Sequence, residues 1–350
     1  MPIGELAVLT SALLFSMTGV VQKTLVARFK PLTLGALGAG GGALAALIFV
    51  LTTSDITELT RIPTTYLVLG ILGGVINIGL GEPLYLLFLR NVDVSKAWPM
   101  IAGMLSSYSL ISGIFVLRET PTPYDITGVA VVATGVYLLS FAQRRYTDKN
   151  QASWLGFKGV LLLALVAAFW VSGLTVQGFA LRHMDPQLLN MSRLSAVCIF
   201  LTVMSWLGVN EILLPNEEYA ALSFGGRVKM ALSQGLAARA LRRCLRLDGS
   251  APGDVAHRDS VRRRMRYRSG WSYRMSGVAV INGTLSLGTA SMLFLVGISR
   301  AGLSISAVLS STQIFWTSMI AAVVLRERLN PVAIAGVLAM FGGITLILLK

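Results

Sequence analysis

Ten mostly apolar stretches run along the chain, at 5–27, 32–52, 65–90, 94–117, 124–142, 155–180, 186–208, 276–298, 303–325 and 331–349. A helix rising 1.5 Å per residue needs about 20 such residues to cross a hydrocarbon core ~30 Å thick. Each stretch therefore predicts a spanning helix. A polar linker, Gln143 to Ser153, carries Arg144, Arg145, Asp148 and Lys149 and divides the ten spans into five and five.

The two halves resemble each other. VLRE at 116–119 returns at 324–327, an offset of 208 that also carries Pro123 to Pro331, Gly128 to Gly336 and Gly135 to Gly343. Phe15, Gly19 and Arg28 match Phe169, Gly173 and Arg182 at an offset of 154, and Ile76-Asn77 matches Ile281-Asn282 at 205. The rise in offset marks an insertion after the seventh span. An odd number of spans per half inserts the halves in opposite orientations, which makes an inverted repeat with a site between the halves near the midplane. The expected fold is all-α and integral to the membrane: ten transmembrane helices as two inverted five-helix repeats. The first repeat occupies 1–142, the linker 143–153 and the second repeat 154–350, interrupted at about 218–274.

Composition agrees with these spans. The chain is 54% hydrophobic and 13% charged, with a mean hydropathy of +0.70, against roughly 25% charged for a soluble domain. The first span begins almost at Met1, carries Glu5 and lacks a basic leader, so it reads as a retained helix. The net charge of +14 is local, because twelve Arg and one Lys fall within 223–274. Arg227 to Leu247 can form a basic amphipathic helix suited to anionic lipid, and the stretch that follows is expected to be disordered. A reading-frame error is an alternative account of this arginine-rich stretch. Nucleic acid is not an expected partner. Cys198 and Cys244 supply neither a disulfide framework nor metal spacing. No nucleophile motif or phosphate loop appears, so neither enzyme activity nor a cofactor or metal is expected.

Ten spans as two five-span repeats, with VLRE closing the fourth helix of each half and a Gly-spaced fifth helix, resemble the EamA-type transporters of the drug/metabolite transporter (DMT) superfamily. The resemblance implies secondary transport of a small metabolite such as an amino acid, nucleobase, sugar or drug, in the plasma or inner membrane. It also implies a cavity lined by the first, third and fourth helices of each half, and cytoplasmic termini. Basic residues in the short loops favour the opposite orientation, ten against five. A non-transporting scaffold or sensor built around the basic loop is the alternative function.

Polar groups inside a bilayer face a cavity or a neighbouring helix. The ninth span carries Ser306, Ser310, Gln313 and Thr317 at spacings of four, three and four. The fourth carries Ser106 and Ser109 on one face, with Ser107 and Tyr108 beside them. The first carries Ser11, Phe15, Thr18 and Gln22, and the sixth carries Trp170, Ser172 and Thr175. Small polar residues at these places also serve helix packing alone. Asn77 and Asn282 are candidates for the cavity or for a structural pair. Glu82 stands out, about 7 Å from its span centre at 1.5 Å per residue. It follows Gly79 and Gly81 and precedes Pro83, which removes one backbone hydrogen bond and clashes with the carbonyl of Gly79. A kink is expected there, with Glu82 as substrate-charge or proton-coupling group. The pairs Arg118-Glu119 and Arg326-Glu327 are read as structural helix ends.

Overall fold

The structure is a computed structural model that describes residues 3–53, 61–92, 94–118, 120, 122–143, 157–213 and 273–325, with scattered positions between 332 and 346. Residues 144–156 and 214–272, which hold most of the expected linker and insertion, lie outside the described residues, as do Glu119, Arg326, Glu327 and most of the tenth expected span.

All the described regular structure is helical. The longer helices are α1 (Ile3–Val26), α2 (Pro31–Thr53), α3 (Thr64–Asn91), α4 (Val94–Phe115), α5 (Pro123–Gln143), α6 (Phe157–Ala180), α7 (Pro186–Trp206), α8 (Tyr273–Ala301), α9 (Leu303–Ser310) and α10 (Gln313–Leu325), and a short turn of helix, Val209–Leu213, follows α7. Six of them, α1, α2, α3, α6, α7 and α8, are long and apolar enough to cross a membrane. Pro31, Pro123 and Pro186 each open a helix, where a missing N–H has no intrahelical partner to lose. Asp185 caps α7 by accepting from the Gln187 backbone N–H at 2.8 Å. Arg118 takes a left-handed φ of 57° just beyond α4, and the Arg182 guanidinium donates to the Leu117 carbonyl at 2.8 Å.

Two of the expected spans depart from a plain α-helix. In α3 the expected kink is a π-helical stretch, Val75–Gly81, ending where Glu82 and Pro83 begin. Its wider turns accommodate a proline that cannot donate. A matching stretch, Thr284–Ala290, lies in α8 without any proline. The span expected at 303–325 is two helices, because the chain turns at Ser311-Thr312. The Ser310 and Ser311 hydroxyls donate to the carbonyls of Ala307 and Val308, at 2.8 and 2.6 Å. Such back-bonding competes with the helical ladder.

Helices of the two halves interleave. α2 packs on α7 and α8, α7 also on α3, α1 on α8 and α9, α6 on α3 and α4, and α4 on α9. Exchanging α1 with α6, α2 with α7, α3 with α8 and α4 with α9 reproduces this set of contacts. Glycine makes two of the crossings close. A Cβ on Gly283 would strike the backbone of Gly38, and one on Gly173 would strike the Gly73 carbonyl. Side-chain packing forms three apolar clusters, around Leu188, Leu295 and Val308; around Leu86, Phe88 and Ile101; and around Leu194 and Val197. Leu44, Ile48, Leu51, Ile111, Ile199 and Leu285 face outward, where lipid exacts no hydrophobic penalty.

Candidate functional site

Where α1, α2, α3, α4, α6, α7, α8, α9 and α10 converge, they enclose a cavity of about 1110 Å³ including its open mouth. Irregular backbone surrounds it. In a bilayer, groups released from a helical ladder need partners from neighbouring helices, and this molecule supplies them. Ser11 Oγ donates to the Ala290 carbonyl at 2.7 Å, at the end of the π-helical stretch of α8. Asn190 Nδ2 donates to the carbonyls of Gly288 and Leu287 at 2.9 and 3.3 Å. Ser16 Oγ donates to the Gln313 carbonyl at 2.9 Å, just past the break between α9 and α10. From the π-helical stretch of α3 a side chain reaches outward instead: Asn77 Nδ2 donates to the Trp170 carbonyl of α6 at 2.9 Å.

Seven of the expected site residues line the cavity: Thr18, Asn77, Glu82, Trp170, Asn282, Ser310 and Gln313. Glu82 is half-buried and accepts from Gln22 Nε2 at 2.7 Å. One turn on, Tyr85 sits between Trp98 and Trp170, with ring centroids 5.6 and 5.2 Å away. The Tyr85 hydroxyl and the Trp98 indole N–H are buried without a partner among the described residues. Gln313, 3% exposed, has an unpartnered side-chain N–H₂ there as well. The Asn pair does not share a register: Asn77 lies within its π-helical stretch and Asn282 precedes the other.

The other expected residues lie elsewhere. Ser306 and Thr317 are buried in helix packing, each with a hydroxyl that has no partner among the described residues. A straight helix would have put them on one face with Ser310 and Gln313; the break at Ser311-Thr312 ends that stripe. Ser109 is buried under α9, where Ser304 Oγ donates to its carbonyl at 3.4 Å. Ser107 and Tyr108 are exposed, and the side chain of Ser106 is outside the described residues. α4 instead presents Trp98 and Leu105 to the cavity, because its small-residue face packs on α9. Ser172 is exposed and donates back to the Phe169 carbonyl at 3.2 Å.

The cavity also holds a group not anticipated from sequence. Arg193, midway along α7, is 1% exposed and lines the cavity beside Ser291. Its guanidinium donates to Asn190 Oδ1 from Nε at 3.1 Å and from Nη2 at 2.8 Å, to Gln177 Oε1 from Nη1, and to Ser291 Oγ from Nη2. An arginine within the apolar run 186–208 was the available signal. Among the described residues no cluster of His, Cys, Asp and Glu could hold a metal ion.

A family model described as the EamA-like transporter family matches residues 2–141 and 260–349. A solved protein structure, described only as a crystal structure, superposes with a TM-score of 0.63 at 15% identity, covering 99% of this chain and 96% of that one. At that identity the likeness concerns the fold alone. No curated protein matches the chain.

Proposed function

The chain belongs to the EamA-like transporter family of the DMT superfamily, and we propose that it is a secondary transporter moving a small metabolite by alternating access between two inverted five-helix halves. As a member of that family it is a multi-pass membrane transporter. The observation that carries the finer reading is the cavity between the halves, whose mainly apolar wall carries polar groups from helices with widened or broken ladders. The contact pattern, unchanged when the helices of one half are exchanged for those of the other, supports two inverted repeats. The apolar and aromatic walls suit a small molecule with few polar groups. We place the protein in the plasma or inner membrane with both termini cytoplasmic, and read the arginine-rich stretch within 223–274 as a contact for anionic lipid.

Glu82 is the proton-coupling or substrate-charge group in this reading, supported by its place on the cavity after the π-helical stretch and by the neutral partner it has among the described residues, Gln22. Glu82→Gln keeps the shape and removes the charge. For proton coupling, exchange of substrate in proteoliposomes persists while pH-driven accumulation is lost. For a substrate charge, affinity itself falls. A variant that melts as the parent does, with unchanged affinity and unchanged pH-driven uptake, ends both roles for Glu82.

A further inference from the structure

The Arg193 guanidinium is a buried charge surrounded by neutral acceptors. Arginine carries five N–H donors, and the bonds to Asn190, Gln177 and Ser291 use four. One N–H of Nη1 remains. Asn190 is held in turn by its own donations to Leu287 and Gly288, so its Oδ1 must face Arg193. Ser291 accepts from Arg193, which leaves the hydroxyl hydrogen of Ser291 to donate. Among the described residues no carboxylate pairs with Arg193, and the acid on the same cavity, Glu82, is bonded to Gln22. Neutral hydrogen bonds orient a cation without cancelling its charge, and an uncompensated ion taken out of water is costly. The arrangement is an oriented cation on a cavity wall with no counter-ion among the described residues.

We propose that Arg193, with Ser291 beside it, binds an anionic group of the transported molecule: a carboxylate on an apolar or aromatic body. A single positive charge calls for a monoanion. The two remaining donors, one N–H and one O–H, suit the two oxygens of a carboxylate. The neighbouring wall is apolar, formed by Leu287 and Phe294, with Trp98 and Trp170 elsewhere on the cavity. This inference rests on the transport reading for the molecule's passage, though binding alone tests it.

Benzoate, benzamide and benzylamine share one ring and differ in charge. Added in turn to the purified full chain in detergent, each is scored by its shift of the melting temperature, since a ligand that binds only the folded state stabilises it by mass action. Benzoate is expected to raise the melting temperature, and benzamide and benzylamine are not. Arg193→Gln should weaken benzoate by about 30-fold or more, as expected on losing one partner of a buried charge pair. Arg193→Lys should retain part of the binding, and Ser291→Ala should weaken it without abolishing it. These two variants carry the comparison if Arg193→Gln does not fold. Benzoate no better than benzamide on the parent protein overturns the proposal. So does benzoate affinity that is indifferent to Arg193→Gln or, failing that variant, to Arg193→Lys and Ser291→Ala. Benzoate binding without counterflow in proteoliposomes supports the site and counts against transport. Uptake of benzylamine or benzamide without benzoate binding counts against the site and leaves transport standing.

Discussion

Glu82 and Ser291 occupy the same place in two helices. Each is the first residue after a π-helical stretch, Val75–Gly81 in α3 and Thr284–Ala290 in α8. In α3 that place carries an acid, which takes its hydrogen bond from Gln22 of α1. In α8 it carries a hydroxyl, which takes a hydrogen bond from Arg193 of α7. The backbone frame is thus nearly symmetric while the charges it presents are opposite. A pseudo-symmetric cavity can in this way distinguish the two ends of a polar molecule.

The two stretches also differ in what accompanies the widening. In α3 a proline follows. In α8 no proline is present, and the widened carbonyls are met instead by Ser11 of α1 and Asn190 of α7. Proline is therefore not the common cause. At the α3 stretch the contact runs the other way: Asn77, inside it, donates from its side chain to the Trp170 carbonyl of α6.

Four substitutions test this comparison. Asn190→Leu should have the largest effect, because it strips Arg193 of two hydrogen bonds and leaves carbonyls of the α8 stretch unmet. A loss of about 3 kcal/mol is expected, read as a lower melting temperature in detergent, and Arg193→Met in the same chain should recover part of it. Little recovery would mean that the α8 carbonyls, not the guanidinium, depend on Asn190. Next, Gly283→Val drives a side chain into the backbone of Gly38 and should cost about 2 kcal/mol by overpacking. An unchanged melting temperature would show that α2 and α8 can separate freely. Gln22→Leu removes the donor to Glu82 and should cost about 1.5 kcal/mol, with loss of that stability when Glu82→Gln is added second measuring the coupling. Pro83→Ala should be the mildest, below about 1 kcal/mol, since the α8 stretch exists without a proline. A large loss, or a changed Trp98 and Trp170 fluorescence, would restore proline as the cause of the widening in α3.

Much of the helical layout was legible. The runs at 65–90 and 186–208 correspond to Thr64–Asn91 and Pro186–Trp206, because a bilayer demands about 20 apolar residues whatever the neighbours are. Glu82 could be singled out for the same reason: an acid inside such a run is costly wherever the helix goes. The stripe at Ser306, Ser310, Gln313 and Thr317 was legible only as spacing. Spacing becomes a face when the helix is straight, and Ser310 and Ser311 back-bond where this one breaks. Arg193 was open to the same cost argument as Glu82. Its neutral partners, Gln177 in α6 and Ser291 in α8, stand 16 and 98 residues away in sequence.

Hydropathy and repetition by themselves determined where this chain has apolar runs, that its halves are related and that one acid sits deep in the third run, because those properties depend on each segment and the solvent around it. Which polar groups meet in the cavity was decided only in three dimensions. Ser109 and Ser306 went to helix contacts while Ser310 and Gln313 reached the cavity, although the three serines carry the same side chain. The difference lies in which neighbour each helix packs against, and that follows from close crossings such as Gly38 on Gly283, where two distant segments must fit each other and neither alone contains the answer.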